Sequence, residues 1–161
     1  MPIFRLIIFS AIFLNILFAH CQIPCGIYDD VFQIVSIQED ISTIQKSINK
    51  IQELGDSGKS IQNQNQLVRW INNKETYAQK IQDVISEYFL AQRIKPTFKK
   101  NEDYDNYVML TTSCQKIIYY SMKCKQNVDT QYVKKLSEEL ASFVAVYLDE
   151  DGKEHLRDMR K

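Results

Sequence analysis

The fold is decided by residues 30–54, DVFQIVSIQEDISTIQKSINKIQEL, in which isoleucines recur three and four positions apart. This spacing returns to the same side of a helix at every turn, so it predicts one apolar stripe along a single long helix. Asp29 or Asp30 can cap the start of that helix, and Gly55 is placed to end it. The stripe consists of Ile34, Ile37, Ile41, Ile44, Ile48 and Ile51.

Three further stretches show the same periodicity, from about Ser60 to Leu90, Asp103 to Lys125 and Asp129 to Leu148. The 161-residue chain contains only 4 glycines and 3 prolines, so few turns interrupt it and long helices are favoured over short strands. We therefore predict an all-α fold, a four-helix bundle that occupies residues 29–149. The predicted stripes are Leu67, Trp70, Ile71, Tyr77, Ile81, Val84 and Tyr88 in the second helix, Tyr107, Leu110, Cys114, Ile117, Ser121 and Cys124 in the third, and Val133, Leu136, Leu140, Phe143 and Tyr147 in the fourth, where Asp129 is the expected cap.

The remaining composition excludes little but is consistent with a soluble globular protein, at 45% hydrophobic and 25% charged residues. Because 20 basic residues balance 20 acidic ones, nothing indicates a nucleic-acid partner. Residues 150–161 are mostly charged and are predicted to be a solvated or disordered tail that contains His155. Lys95, Lys99 and Lys100 can steer a small anion, although a lysine-rich loop is more often only a solvated surface.

Residues 1–19 have the layout of a cleaved secretory signal peptide. Arg5 gives a positive start, residues 6–18 are almost wholly apolar, and Ala19 is a small residue at the expected cut. An uncleaved membrane anchor is the alternative, but the run is short for a span of about 20 residues. Cleavage after Ala19 would make His20 the new N-terminus. It would place the mature protein in the secretory pathway or outside the cell, with no membrane attachment.

The cysteines divide into two pairs. Cys114 and Cys124 fall on the apolar stripe of one helix, ten residues apart, which corresponds to about 15 Å of rise. A disulfide requires Cα atoms within about 7 Å, so these two cannot bond to each other and are predicted to be core thiols. Cys21 and Cys25 lie close together directly after the predicted cut, in residues 20–28, HCQIPCGIY, here called the hook.

If His20 is the N-terminus, the hook offers five possible metal donors. They are the α-amine and imidazole of His20, the amide nitrogen and thiolate of Cys21, and the thiolate of Cys25. The α-amine, with a pKa of about 7.7–8.0, loses its proton easily to a metal. Pro24 helps to bend the chain so that Cys25 returns to the same ion. An amine, an anionic amide and two thiolates form a planar set that suits Ni(II) or Cu(II), whereas zinc prefers a tetrahedron.

The hook resembles the N-terminal signature of the nickel-containing superoxide dismutases, His-Cys-x-x-Pro-Cys-Gly-x-Tyr, and a second stretch, residues 73–89, resembles the same family. The resemblance extends from His20 into the fourth helix. It implies a nickel-dependent superoxide dismutase that disproportionates superoxide through Ni(II)/Ni(III) cycling in a homohexamer of four-helix bundles. The implied nickel ligands are His20, Cys21 and Cys25. Tyr28 resembles the tyrosine that orders incoming superoxide or water, and Tyr88 resembles its partner, although Tyr88 can equally be a core aromatic.

Some positions depart from the family pattern. Gln22 stands where some relatives have Asp. Some relatives hold the imidazole of the N-terminal histidine with a Glu on the first helix and an Arg on the second, but no arginine occurs near Tyr77 in this sequence. Glu39 is a possible carboxylate partner for that imidazole.

Two other functions remain open at this point. One is a secreted helical binding module in which Cys21 and Cys25 form a disulfide. The other is an inactive relative that binds nickel or copper. Metal analysis and thiol titration would identify the first, and a superoxide-consumption assay would identify the second.

Overall fold

A computed structural model of the chain describes residues 29–58 and 60–159, and these residues are helical apart from short connections. No strand occurs in these ranges, so the predicted all-α fold is confirmed. None of the helices within them is long and apolar enough to cross a membrane. The helices are α1 (Asp30–Asp56), α2 (Ile61–Asp83), a π-helical segment (Val84–Arg93) that continues α2, α3 (Tyr104–Gln126), α4 (Thr130–Tyr147) and α5 (Glu150–Asp158).

Side-chain caps define where the helices begin. Asp29 Oδ1 accepts from the Val31 amide at 2.8 Å and so occupies one of the amides that a helix N-terminus leaves without a partner. Ser60, Asp129 and Asp149 cap α2, α4 and α5 in the same way. The predicted caps at Asp29 and Asp129 are therefore present. At the other end of α1, Gly55 does not stop the helix, which continues to Asp56.

The isoleucine stripe of α1 forms the centre of the core. All six isoleucines are buried, and α1 packs against α2 and α4, while α3 packs against the same two helices from the other side. The four long helices thus close into a ring, which is the arrangement of a four-helix bundle. The partners of the stripe are Ala78, Ile81, Ile85, Tyr88, Phe89, Cys114, Ile117, Cys124, Val133, Leu136, Leu140 and Phe143.

The second helix buries a different stripe from the predicted one. Its N-terminal half contributes little, since Leu67 and Trp70 are half-buried and Ile71 is exposed. From Ala78 onward the buried positions are Ala78, Ile81, Ile85, Tyr88 and Phe89, so Ile85 takes the place predicted for Val84. The buried positions from Ala78 to Tyr88 still follow the three- and four-residue spacing of a helix, so the predicted stripe was displaced by one residue at Tyr77 and at Val84.

Cys114 and Cys124 are core thiols, as predicted. Both are fully buried and neither is in a disulfide. Burial raises the pKa of the Cys114 thiol to about 12 and that of Cys124 to about 11, where the nearby positive charge of Lys74 opposes the effect. Because the thiolate is the reactive form, both side chains are chemically inert at neutral pH.

The prediction of a disordered tail is wrong for residues 150–158, which form α5. Asp149 accepts from the Gly152 amide at 2.8 Å, and Leu156 is buried against the core. The charged composition concealed the helix because Leu156 is its only fully buried residue. α5 packs against α1, and His155 of α5 lies beside Asp29 at the start of α1.

A buried lysine joins α2 to the end of α3. The Nζ atom of Lys74 donates to the Cys124 carbonyl at 2.7 Å and also to the Lys125 carbonyl. These carbonyls belong to the last turn of α3, where helical partners are absent and the helix dipole favours a cation. Lys74 thus closes the C-terminus of α3 from a neighbouring helix.

Replacement of this lysine tests its contribution. We expect Lys74→Met to lower the free energy of unfolding by about 2 kcal/mol, because two charge-assisted hydrogen bonds are lost and the carbonyls remain beneath a methionine. Urea denaturation followed by circular dichroism measures the change. The matched control is Lys50→Met, which breaks an exposed ion pair with Glu53 at 2.6 Å and should change stability by less than about 0.5 kcal/mol. Equal effects of the two substitutions would contradict the role of Lys74.

Candidate functional site

Of the predicted site residues, Tyr88 lies within the part of the chain that the structure describes. His20, Cys21, Cys25 and Tyr28 lie outside the described residues, which begin at Asp29. Asp29 and Asp30 follow the hook directly in the sequence. The surroundings of these two residues are therefore the part of the structure that bears most closely on the hook.

Tyr88 is buried against the start of α1, with 1% of its surface exposed. Its hydroxyl donates a short hydrogen bond to Asp30 Oδ1. Arg93 donates from Nη2 to the Tyr88 oxygen at 2.8 Å, and the guanidinium carbon lies 5.0 Å from the centre of the Tyr88 ring. The hydroxyl of Tyr88 thus directs its own proton towards Asp30 and accepts a hydrogen bond from the positively charged Arg93.

Asp30 accepts further hydrogen bonds besides the one from Tyr88. Its Oδ1 also accepts from Arg93 Nε at 2.8 Å, and Arg93 Nη2 lies 2.7 Å from the same oxygen. Its Oδ2 accepts from the Tyr147 hydroxyl at 2.7 Å. We call Asp30, Tyr88, Arg93 and Tyr147 the Asp30 cluster. It joins the first residue of α1 to the π-helical segment and to the last residue of α4.

The π-helical segment is what places Arg93 beside Tyr88. In an α-helix a residue five positions on lies about 140° round the axis and points elsewhere. A π-helix instead joins residues five apart, as the Ile94 amide and the Phe89 carbonyl show at 2.9 Å. The side chain of Arg93 can therefore reach back to the Tyr88 hydroxyl. Segments of this kind are frequently found at functional sites.

Aromatic packing restricts the two tyrosines further. Phe89 meets both Tyr88 and Tyr147 edge-on, with ring centroids 5.1 and 5.3 Å apart. Phe143 stacks on Tyr147 at 4.9 Å. Such ring pairs contribute about 0.5–1.5 kcal/mol each beyond the area they bury. The hydrogen-bonding hydroxyls are thus mounted on rings that the core holds in place.

Both cluster phenols hold their protons more firmly than an exposed tyrosine does. Burial raises the pKa of Tyr147, and the hydrogen bond to Asp30 raises it further. The same two causes raise the pKa of Tyr88, while the hydrogen bond from Arg93 opposes them. At neutral pH both residues are neutral phenols that donate to a carboxylate.

His155 lies in α5 beside Asp29, the residue that directly follows the hook in the sequence. Its Nδ1 is 3.4 Å from Asp29 Oδ2, and both side chains are about half exposed. α5 places this imidazole, since Leu156, the next residue, is buried. His155 and Asp29 thus connect the last described helix to the start of α1.

The inward carboxylate on α1 is Asp40, whereas Glu39, the residue that the sequence suggested, is exposed. Lys80 donates to Asp40 Oδ1 at 3.0 Å, and its Nζ lies 5.8 Å from the centre of the Tyr77 ring. Burial raises the pKa of Asp40, and the hydrogen bond from Lys80 opposes that effect. The basic residue near Tyr77 is therefore Lys80, one turn further along α2.

The described residues contain no group of three or more His, Cys, Asp or Glu side chains that could hold a metal ion. The donors that the sequence predicts for the hook, which lies outside the described residues, are thiolates, an amide, an amine and an imidazole, and such a set would fit nickel. Lys95, Lys99 and Lys100 are exposed, and Lys95 lines an open cleft together with Arg93 and Tyr147.

Sequence reasoning missed three members of the cluster. Asp30 was considered only as a helix cap, Tyr147 only as part of an apolar stripe, and Arg93 was not considered. The sequence did mark Asp30 as a residue that could have a role other than capping, because it is a second acidic residue directly after the cap residue Asp29. Nothing in the sequence indicated that residues 58, 63 and 117 positions away would meet it.

Comparison with known proteins identifies a family. The family model for nickel-containing superoxide dismutase matches residues 16–151, which is most of the chain and includes the whole hook. No curated protein and no solved structure matches this chain.

The raised pKa values of Tyr88 and Tyr147 predict how the stability of the bundle changes at alkaline pH. The two phenols contribute their full stabilisation below about pH 10, the pKa of tyrosine in an unfolded chain. This stabilisation is lost as pH rises through the pKa values of the two residues in the folded protein. In an absorbance titration at 295 nm, we expect a late component among the 9 tyrosines. Tyr147→Phe should remove part of it, because burial and the hydrogen bond to Asp30 raise the pKa of Tyr147. A titration unchanged by Tyr147→Phe would contradict the assignment.

Proposed function

This chain belongs to the nickel-containing superoxide dismutase family, and on that premise we propose that His20, Cys21 and Cys25 are its nickel ligands. The protein is accordingly an oxidoreductase that disproportionates superoxide to hydrogen peroxide and dioxygen with a nickel cofactor. The observation that carries this conclusion is the family match over residues 16–151, which includes the residues proposed to hold the metal.

The donor chemistry supports this ligand set. Nickel, when bound, supplies the one-electron oxidation and reduction that disproportionation requires. The thiolates of Cys21 and Cys25 and the anionic amide of Cys21 donate electron density and so stabilise a higher oxidation state. The α-amine of His20 would contribute a further donor, and its imidazole would be available as another. This set exists only if the chain begins at His20.

We further propose that Tyr28 orders incoming superoxide or water and that Tyr88 is its partner. Tyr28 is two residues before Asp30, so their Cα atoms are at most about 7 Å apart. Tyr88 donates its hydroxyl proton to Asp30. The connection through Asp30 therefore supports placing Tyr88 at the root of the hook, and its full burial supports a fixed orientation.

Removal of residues 1–19 is the step that would create the metal site. A signal peptide cut after Ala19 frees the α-amine of His20 and directs the protein into the secretory pathway or out of the cell. We propose the homohexamer as the assembled form, which the family resemblance implies. Exposed apolar side chains such as Phe32 and Phe98 are available for contacts between subunits.

The mature form can be examined directly in the native protein. N-terminal sequencing should give His20 as the first residue, and light scattering coupled to size exclusion should give the mass of six copies. An intact residue 1 or a monomeric mass would contradict the leader or the hexamer respectively. Each result can be read independently of the other.

The α-amine ligand can be tested by adding a single alanine before His20 in protein that otherwise begins at this residue. Since losing an outer-shell partner already costs about 10–100-fold in activity, losing a ligand should cost more than about 100-fold. Superoxide consumption and nickel content measure the effect. Cys25→Ser should behave similarly, whereas Cys114→Ala removes a buried core thiol and should retain nickel. Full activity of the extended protein would refute the α-amine ligand.

A further inference from the structure

The carboxylate of Asp30 is contacted from three parts of the chain that are remote in sequence. Tyr88, Arg93 and Tyr147 lie 58, 63 and 117 positions away from it. Oδ1 accepts from Tyr88 and Arg93, and Oδ2 accepts from Tyr147 at 2.7 Å. Both oxygens of one carboxylate are therefore engaged at the residue from which the helical bundle starts.

These contacts determine which way the Tyr88 hydroxyl points. A carboxylate with two accepting oxygens has no proton to donate, so the phenolic proton of Tyr88 must lie on the Asp30 side. Arginine carries donors only, so the 2.8 Å contact between Arg93 Nη2 and the Tyr88 oxygen uses a lone pair of that oxygen. Without Asp30, the hydroxyl would be free to rotate towards another acceptor.

We propose that Asp30 is a positioning residue for the superoxide dismutase reaction, which fixes the place and the direction of the Tyr88 hydroxyl. This inference rests on the proposed function, which assigns Tyr88 to the active site. Tyr147 acts through Asp30, because it binds the other carboxylate oxygen, whereas Arg93 binds both the carboxylate and the Tyr88 oxygen. Because the Tyr88 hydroxyl donates its proton to Asp30, its oxygen acts towards other groups only as a hydrogen-bond acceptor. Tyr88 therefore positions those groups and does not release a proton in the reaction.

A purely stabilising role accounts less well for this arrangement. Asp30 and Arg93 keep 28% and 27% of their side-chain surfaces exposed, and ion pairs in contact with water add little to stability. The neighbouring core of Phe89 and Phe143 already holds the tyrosine rings. What the carboxylate adds is direction, since an acceptor defines where a hydroxyl proton points and apolar packing does not.

A double-mutant cycle on the nickel-loaded protein separates positioning from general damage. We expect Asp30→Ala to lower kcat/KM about tenfold or more with unchanged nickel content. In a Tyr88→Phe background the same change should alter kcat/KM by less than about twofold, because residues that act as a unit are not additive. Asp29→Asn is the matched control. Asparagine caps a helix as well as aspartate does, and Asp29 has no hydrogen bond to Tyr88.

A second measurement uses the metal-free protein and does not depend on catalysis. With tyrosine labelled at ¹³Cζ, the Tyr88 resonance is assigned by its absence in Tyr88→Phe and followed against pH. Burial and the hydrogen bond to Asp30 raise the pKa of Tyr88, so the isosteric Asp30→Asn should move its titration to lower pH. Asp29→Asn should leave it in place. Asp30→Asn also serves as the variant that keeps the fold if Asp30→Ala does not.

Several outcomes would overturn the inference. Asp30→Ala would do so if it matched Asp29→Asn in activity, or if it lowered activity equally with and without the Tyr88 hydroxyl. A Tyr88 resonance unaffected by Asp30→Asn would show that the contact does not orient the phenol. These failures leave nickel content and the effect of an alanine before His20 untouched, so they are distinguishable from failure of the proposed function. Wild-type activity of Tyr88→Phe would remove both the proposed role of Tyr88 and this inference.

Discussion

The buried isoleucine stripe of α1 is the constraint on which the rest of the structure depends. It lies between α2 and α4, and α3 completes the ring by packing against the same two helices. Because the stripe is buried from Ile34 to Ile51, α1 is held along nearly its whole length. Its first residue, Asp30, is thereby fixed at the point where the described chain begins.

Apolar packing brings the helices together, but polar contacts set how far each one slides along its neighbour. Lys80 meets Asp40 and Asn73 meets Ser47 between α1 and α2, while Lys74 meets the end of α3. An isoleucine stripe can tolerate a shift of one turn, whereas a hydrogen bond to a given atom cannot. The Asp30 cluster shows the same dependence on direction, because the register of the π-helical segment places Arg93 within hydrogen-bonding distance of the Asp30 carboxylate.

How far the sequence predicts this structure follows from the range of each interaction. The stripes of α1, α3 and α4 are local patterns, and they were predicted almost residue by residue. The stripe of α2 was misplaced by one residue at Tyr77 and Val84, where the adjacent Ala78 and Ile85 are buried instead. The helix α5 was missed because Leu156 is its one buried residue. At the site, the family resemblance identified Tyr88 as a candidate. Its partners Asp30, Arg93 and Tyr147 could not be identified, since their meeting depends on the packing of three separate helical segments.

The two core cysteines acquire a particular meaning in an enzyme whose product is hydrogen peroxide. Peroxide attacks thiolates and converts them stepwise to sulfenic, sulfinic and sulfonic acids. Cys114 and Cys124 have no exposed surface, and burial raises the pKa of each thiol to about 11 or 12, so neither presents a thiolate to this product. The bundle therefore holds two thiols in its core without offering either of them as a thiolate to the oxidant that the enzyme generates.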